Sequence, residues 1–117
     1  MDPAAFIART KAYSLRIIRL IDSLPRDDIS RTLGHQLLRA GCSVSANYRA
    51  VSRAKSRADF IAKLGIVEEE CDETIHWLEL LVDSGRVKSS KVALLKQEGV
   101  EILSMVVASI RTAKSRR

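Results

Sequence analysis

Glu73 and His76 stand in E-x-x-H spacing, which sets a carboxylate and an imidazole on one face of a helix, as in carboxylate-bridged di-iron bundles. Such a site needs a second E-x-x-H and two further inward carboxylates. This sequence has no second copy, and the first helical segment carries only Asp22 within its body, so no metal site is expected. Cys42 and Cys71 lie on different helical segments without C-x-x-C spacing and read as reduced, packed thiols rather than a disulfide or zinc site. No glycine-rich phosphate loop occurs, and neither cysteine has a histidine at a distance that sequence can argue for. The expectation is a protein without catalytic residues or cofactor. The remaining chemistry is recognition of phosphate: Arg49, Arg53, Lys55, Arg57 and Lys63 surround a single helix junction.

Further cations stand on the first helix (Arg9, Lys11, Arg16, Arg19) and at the tail (Arg111, Lys114, Arg116, Arg117). The formal charge of +6 is unevenly laid out. Residues 1–57 hold eleven Lys or Arg against four Asp or Glu, residues 58–83 one against eight, and residues 84–117 eight against two. An acidic helix therefore sits among basic neighbours. Two explanations remain open: mutual neutralisation between helices or subunits, and a basic face left free for a polyanion. The aromatic residues Phe6, Tyr13, Tyr48, Phe60 and Trp77 fall mostly on core stripes, which leaves base stacking little to use and favours duplex or structured RNA contacted through its backbone.

These residues must be positioned by helices. The chain has 117 residues, enough for one domain, with 46% hydrophobic content and only five glycines and two prolines. No N-terminal apolar run follows Arg9 and Lys11, and charges interrupt every later stretch before it could span a bilayer, so a cytoplasmic protein without membrane contact is expected. Asp2-Pro3 opens a first helix, with Phe6, Tyr13, Ile17, Leu20 and Leu24 at helical spacing. A second, capped by Asp27 or Asp28, carries Leu33, Leu37, Ala40, Val44, Tyr48 and Val51, with Gly34 and Gly41 allowing close approach. The third starts at the Ser56/Asp59 capping pair and carries Phe60, Leu64, Val67, Cys71, Thr74, Leu78 and Leu81 before Gly85 ends it. A fourth is capped by Ser89 or Ser90. The expected helices are about 3–24, 28–52, 57–84 and 90–114, arranged as an all-α, antiparallel up-down-up-down four-helix bundle.

The fourth helix is apolar around too much of its circumference. Val100, Ile102, Leu103, Met105, Val106, Val107 and Ile110 cover about 220°, against roughly 100° for an ordinary stripe. Either this helix is centrally buried or the excess faces another subunit.

Four segments then carry a resemblance: Gln36–Gly41, Ser43–Arg49, Arg53–Leu64 and Asp72–Leu81. In order and spacing they resemble the bacterial four-helix bundle proteins first noticed as open reading frames inside large-subunit rRNA intervening sequences. That resemblance implies an up-down bundle assembled as a ring-shaped homopentamer. It extends more distantly to accessory proteins of diversity-generating retroelements, which associate with a reverse transcriptase and with nucleic acid. The family's polar positions fall here on Arg39, Ser43, Asn47, Arg53, Ser56, Asp59, Lys63 and Glu73. Read from the residues themselves, Arg39, Asn47, Ser56, Asp59, Glu70 and Glu73 form a structural polar network. In it Asn47 bridges helix backbones, Ser56 and Asp59 make a cap, and Arg39 or Arg53 pairs with Glu70 or Glu73.

The function expected is therefore a non-enzymatic, ring-forming bundle that binds RNA or DNA through its backbone, a nucleic-acid-processing partner such as a reverse transcriptase, or both. The alternative is a protein-interaction scaffold whose charge asymmetry serves self-assembly, with no nucleic acid bound.

Overall fold

The computed structural model describes residues 2–116, so Arg117 of the basic tail lies outside the described residues. Four helices, α1 (Pro3–Asp22), α2 (Asp28–Val51), α3 (Arg57–Asp83) and α4 (Ser89–Ser115), are joined by connections at 23–27, 52–56 and 84–88. Connections this short force each helix to turn back along its predecessor, which yields the antiparallel up-down-up-down bundle. Each helix packs on its sequence neighbours, and α1 closes the ring loosely against α4. The bundle measures 50 × 20 × 20 Å.

Local signals set the helix ends. Asp2 accepts from Ala4 N at α1, and Asp27, not Asp28, caps α2 by accepting from Ser30 N at 2.9 Å. Ser56 Oγ accepts from Asp59 N at 3.0 Å, while Asp59 Oδ2 accepts from Lys55 N at 3.0 Å. Gly85, at φ 81°, stops α3 as Arg86 N donates back to Leu81 O at 3.0 Å. The start of α4 differs from the sequence expectation. Lys88 holds the extended N-cap position and makes no side-chain cap, whereas Ser89 and Ser90 are already helical. A hydroxyl caps from the extended residue before the first turn, and the tight wrap after Gly85 brings that turn forward by one position.

The core follows the expected stripes. Tyr13, Ile17, Leu37, Val44, Leu64, Val67, Leu78, Leu81, Ile102 and Val106 are fully buried. Three expected core residues, Leu24, Leu33 and Phe60, are only partly covered, while Thr10, Ser14 and Ser30 are buried polar positions that periodicity does not disclose. Ser14 Oγ lies 2.7 Å from both Gly41 O and Ser45 Oγ, linking α1 to α2 beside the point where a Cβ on Gly41 would meet Ile17 at 2.9 Å. On α4 the seam is Val92, Leu95, Gly99, Ile102, Val106 and Ile110. Leu103, Met105 and Val107 are half-covered and Val100 is 38% exposed, so the subunit leaves part of the wide apolar surface open.

Candidate nucleic-acid interface

At one end of the bundle the termini of α1 and α4 meet the α2–α3 connection. The last turn of α2 unwinds through Arg53 N to Ala50 O and Ala54 N to Val51 O, each 3.0 Å, and this carries Arg53 and Lys55 around the corner between Arg49 and Arg57. The C-terminal turns of α4 add Arg111, Lys114 and Arg116. All seven are exposed, and among the described residues none has a carboxylate within 4.0 Å. The C-terminal dipoles of α2 and α4 favour positive charge here but supply no discrete partner. We call this end the crown.

Lys63 stands apart from the other four junction cations. Its Nζ donates to both carboxylate oxygens of Asp59 at 2.7 and 2.8 Å, and that contact holds the Asp59 carboxyl below its ordinary range. Lys63 thus steadies the cap of α3. The cations of α1 separate from the crown as well: Arg9 is taken by Glu98, and Arg16 and Arg19 border Lys91 and Leu94 toward the other end.

The expected polar network divides into separate pieces. Ser56 and Asp59 belong to the crown's cap. Arg39 reaches Glu70 at 3.3 Å and also contacts Glu73, which accepts from Trp77 Nε1 at 3.2 Å. The α2–α3 pairing therefore uses Arg39, and Arg53 is left free. Asn47 does not bridge two helices. Its Nδ2 donates to Ser43 O at 2.8 Å, within α2. His76 is exposed and packs edge-on against Trp77 with ring centroids 5.0 Å apart, so the Glu73/His76 spacing resolves into an ion pair and an aromatic contact. Among the described residues no three of His, Cys, Asp or Glu gather as metal ligands.

Sequence reasoning missed two features of the waist. Arg9 Nε and Nη2 donate to Glu98 at 2.9 and 2.7 Å, a bidentate clamp from α1 to α4 that depresses the Glu98 carboxyl. Gly99 lies over the buried Tyr13 ring: a Cβ there would sit 2.5 Å from Tyr13 Oη. Gly99 O also accepts from the Cys71 thiol at 3.3 Å, and burial pushes that thiol up to about 12. Burial likewise raises the half-buried Cys42, so neither sulfur is a ready thiolate. A glycine at helical spacing between Leu95 and Ile102 was the available signal for the close packing; nothing in the sequence marked Glu98 as the partner of Arg9.

The fold and the crown together define a small antiparallel helical bundle with a concentrated cationic end. The chain matches the model of the 23S rRNA-intervening sequence protein family over residues 5–108 and belongs to that family. It is similar to a solved protein of unknown function from the S23 ribosomal protein family of Bacteroides thetaiotaomicron VPI-5482. The two share 31% identity with a TM-score of 0.87, covering 95% of this chain and 99% of the other. No curated protein matches the chain. Among the described residues no helix is long and apolar enough to cross a membrane.

Proposed function

We propose that this protein is a non-enzymatic, ring-forming bundle of the cytoplasm, a homopentamer, that holds RNA or DNA by its phosphate backbone at the crown. In this reading it presents that nucleic acid to a processing enzyme such as a reverse transcriptase. The observation that carries the reading is the set of seven exposed cations without a carboxylate partner among the described residues, gathered at one end of a bundle about 20 Å wide. Cations in that number neutralise phosphates and release condensed counterions. A ring repeats the crown on every subunit and turns weak contacts into a multivalent surface. Exposed apolar residues on two sides of α4 support assembly, since Leu94 is 79% exposed and Val100 38%.

A second reading, a scaffold that assembles through charge and binds no nucleic acid, draws on α3. Glu69 and Asp72 are exposed and have no cation within 4.0 Å among the described residues. Light scattering coupled to size exclusion, with the absorbance ratio of the peak, separates the two. The first predicts retained nucleic acid that leaves as salt rises from about 50 to 500 mM while the oligomer persists, the behaviour of phosphate contacts. Failure to retain nucleic acid at about 150 mM salt, with loss of assembly on neutralising Glu69 and Asp72, favours the scaffold.

A further inference from the structure

Resting on the nucleic-acid reading above, we propose that the crown also seats an unpaired nucleotide, with its base in an apolar groove against Phe60 and its phosphates on Lys55, Arg57 and Arg116. Two open cavities of about 600 and 480 Å³ adjoin at this end and share Phe60, Ala113 and Arg116 in their walls. Volumes of this order suit a ligand the size of a nucleotide. The larger cavity holds the cations Lys55 and Arg57; the smaller is floored by Tyr48, Met105 and Ala108. No Asp or Glu lines either one. Ser109 and Thr112 place two hydroxyls on the wall of the smaller cavity, where they can meet a base edge.

Phe60 is the residue on which this turns. Its spacing assigns it to the core stripe of α3, yet it remains partly exposed one turn into the helix, where α3 emerges from the bundle. Tyr48 beside it is held by an edge-on contact with Phe6, ring centroids 4.5 Å apart, so the floor is a fixed aromatic surface. An apolar wall with a cationic rim also fits an acidic amphipathic peptide, but charge density favours nucleic acid. A duplex presents one phosphate per ≈1.7 Å counting both strands, about a dozen across a 20 Å bundle end and roughly half of them on the side toward the protein, so its anions lie at fixed spacing within reach of the crown cations. A helical peptide of the same span, at 1.5 Å per residue, needs about half its residues acidic to match that count and must turn its acidic face to the rim and its apolar face into the groove at once. The pairing of a stacking surface with flanking phosphates is the arrangement by which proteins hold unstacked bases.

The test compares a blunt 16-base-pair duplex with the same duplex carrying a three-nucleotide single-stranded overhang, in RNA and DNA forms, by fluorescence anisotropy on the intact protein. The overhang is expected to bind at least about fivefold tighter, the low end of what one base stacked on an aromatic side chain supplies. Phe60→Ala should erase that preference while leaving blunt-duplex affinity and its salt slope in place. Because Phe60 also touches the core, Ala108→Leu, which fills the groove from an exposed position without adding a stacking surface, gives an independent variant with the same expected outcome. Equal affinity for blunt and overhanging forms, or a preference that survives Ala108→Leu, overturns the inference and leaves backbone binding at the crown standing. Tighter binding of an acidic amphipathic peptide, displaced by Ala108→Leu, with no overhang preference, also overturns it. No binding of either nucleic acid overturns both.

Discussion

From the waist of the bundle to its opposite end Arg9, Arg39 and Lys96 each meet a carboxylate on a neighbouring helix, whereas at the crown Arg49, Arg53, Lys55, Arg57, Arg111, Lys114 and Arg116 meet none among the described residues. The paired charges are cross-links. Each joins a different pair of helices, α1 to α4, α2 to α3 and α3 to α4, and together they fix which face of each helix looks at which neighbour. The crown charges cross-link nothing, and their mutual repulsion opposes the folded subunit. Exposed cations without a carboxylate within 4.0 Å among the described residues also stand outside the crown, at Lys11, Arg19, Arg26, Lys88 and Lys91, so what sets the crown apart is the gathering of seven such groups at one end.

The largest expected effect comes from reversing charge at the crown. Arg53→Glu with Lys55→Glu should weaken binding to duplex RNA by about 100-fold or more at ~100 mM salt and reduce the salt slope by about two, read by anisotropy across a salt series. Arg39→Glu, which places a third carboxylate beside Glu70 and Glu73, should leave binding within about threefold while lowering stability. Equal losses of binding from the two would abolish the distinction between crown and waist.

Packing at the waist comes next. Gly99→Ala drives a methyl group into the Tyr13 hydroxyl and should cost about 1–3 kcal/mol in urea unfolding. Gly65→Ala, at an α3 position where a Cβ meets nothing within 4 Å, should instead gain about 0.5–1 kcal/mol, because alanine restricts the unfolded chain and suits the helix. Neither should alter nucleic-acid affinity.

The remaining effect, of the same size as that at Gly65, is electrostatic. Arg9 holds the Glu98 carboxyl below its ordinary value of 4.5 in the folded chain. A depressed carboxylate contributes stability that is present above the unfolded value and is lost as pH falls through the folded one. Glu98 keeps 19% of its side chain exposed, so solvent screening holds the contribution to about 1 kcal/mol. Arg9→Met should therefore be less stable than the parent at pH 7, with the gap narrowing as pH drops below about 4, measured by urea midpoints. A gap that stays constant down to pH 2.5 would mean the Arg9 stem, rather than its charge, matters at the waist.

Much of the architecture was legible because it depends on local rules. The stripe of α3 from Leu64 through Leu81 is buried as its spacing requires, the Ser56/Asp59 cap forms, and Gly85 takes the left-handed conformation. Periodicity fails at the ends of a stripe, where Leu24, Leu33 and Phe60 have run past their neighbours' cover. It also says nothing about polar residues on an inward face. Ser14 and Thr10 are buried because each hydroxyl finds a carbonyl, Gly41 O for one and Phe6 O for the other. The crown's membership was only partly readable. Arg49, Arg53, Lys55 and Arg57 could be placed at one junction from sequence, but the engagement of Lys63 with Asp59, the removal of Arg9 to Glu98 and the arrival of α4's tail depend on contacts between helices.

The sequence by itself determined that four helices form, where they begin and end to within a residue or two, and which side of each is apolar, because hydrophobic spacing, caps and connection lengths act within a few residues. Only the tertiary structure decided which charges cancel, where Gly99 admits Tyr13, and that Phe60 opens onto a groove. Ion pairing and close approach depend on distances across an interface, which no spacing along one chain specifies.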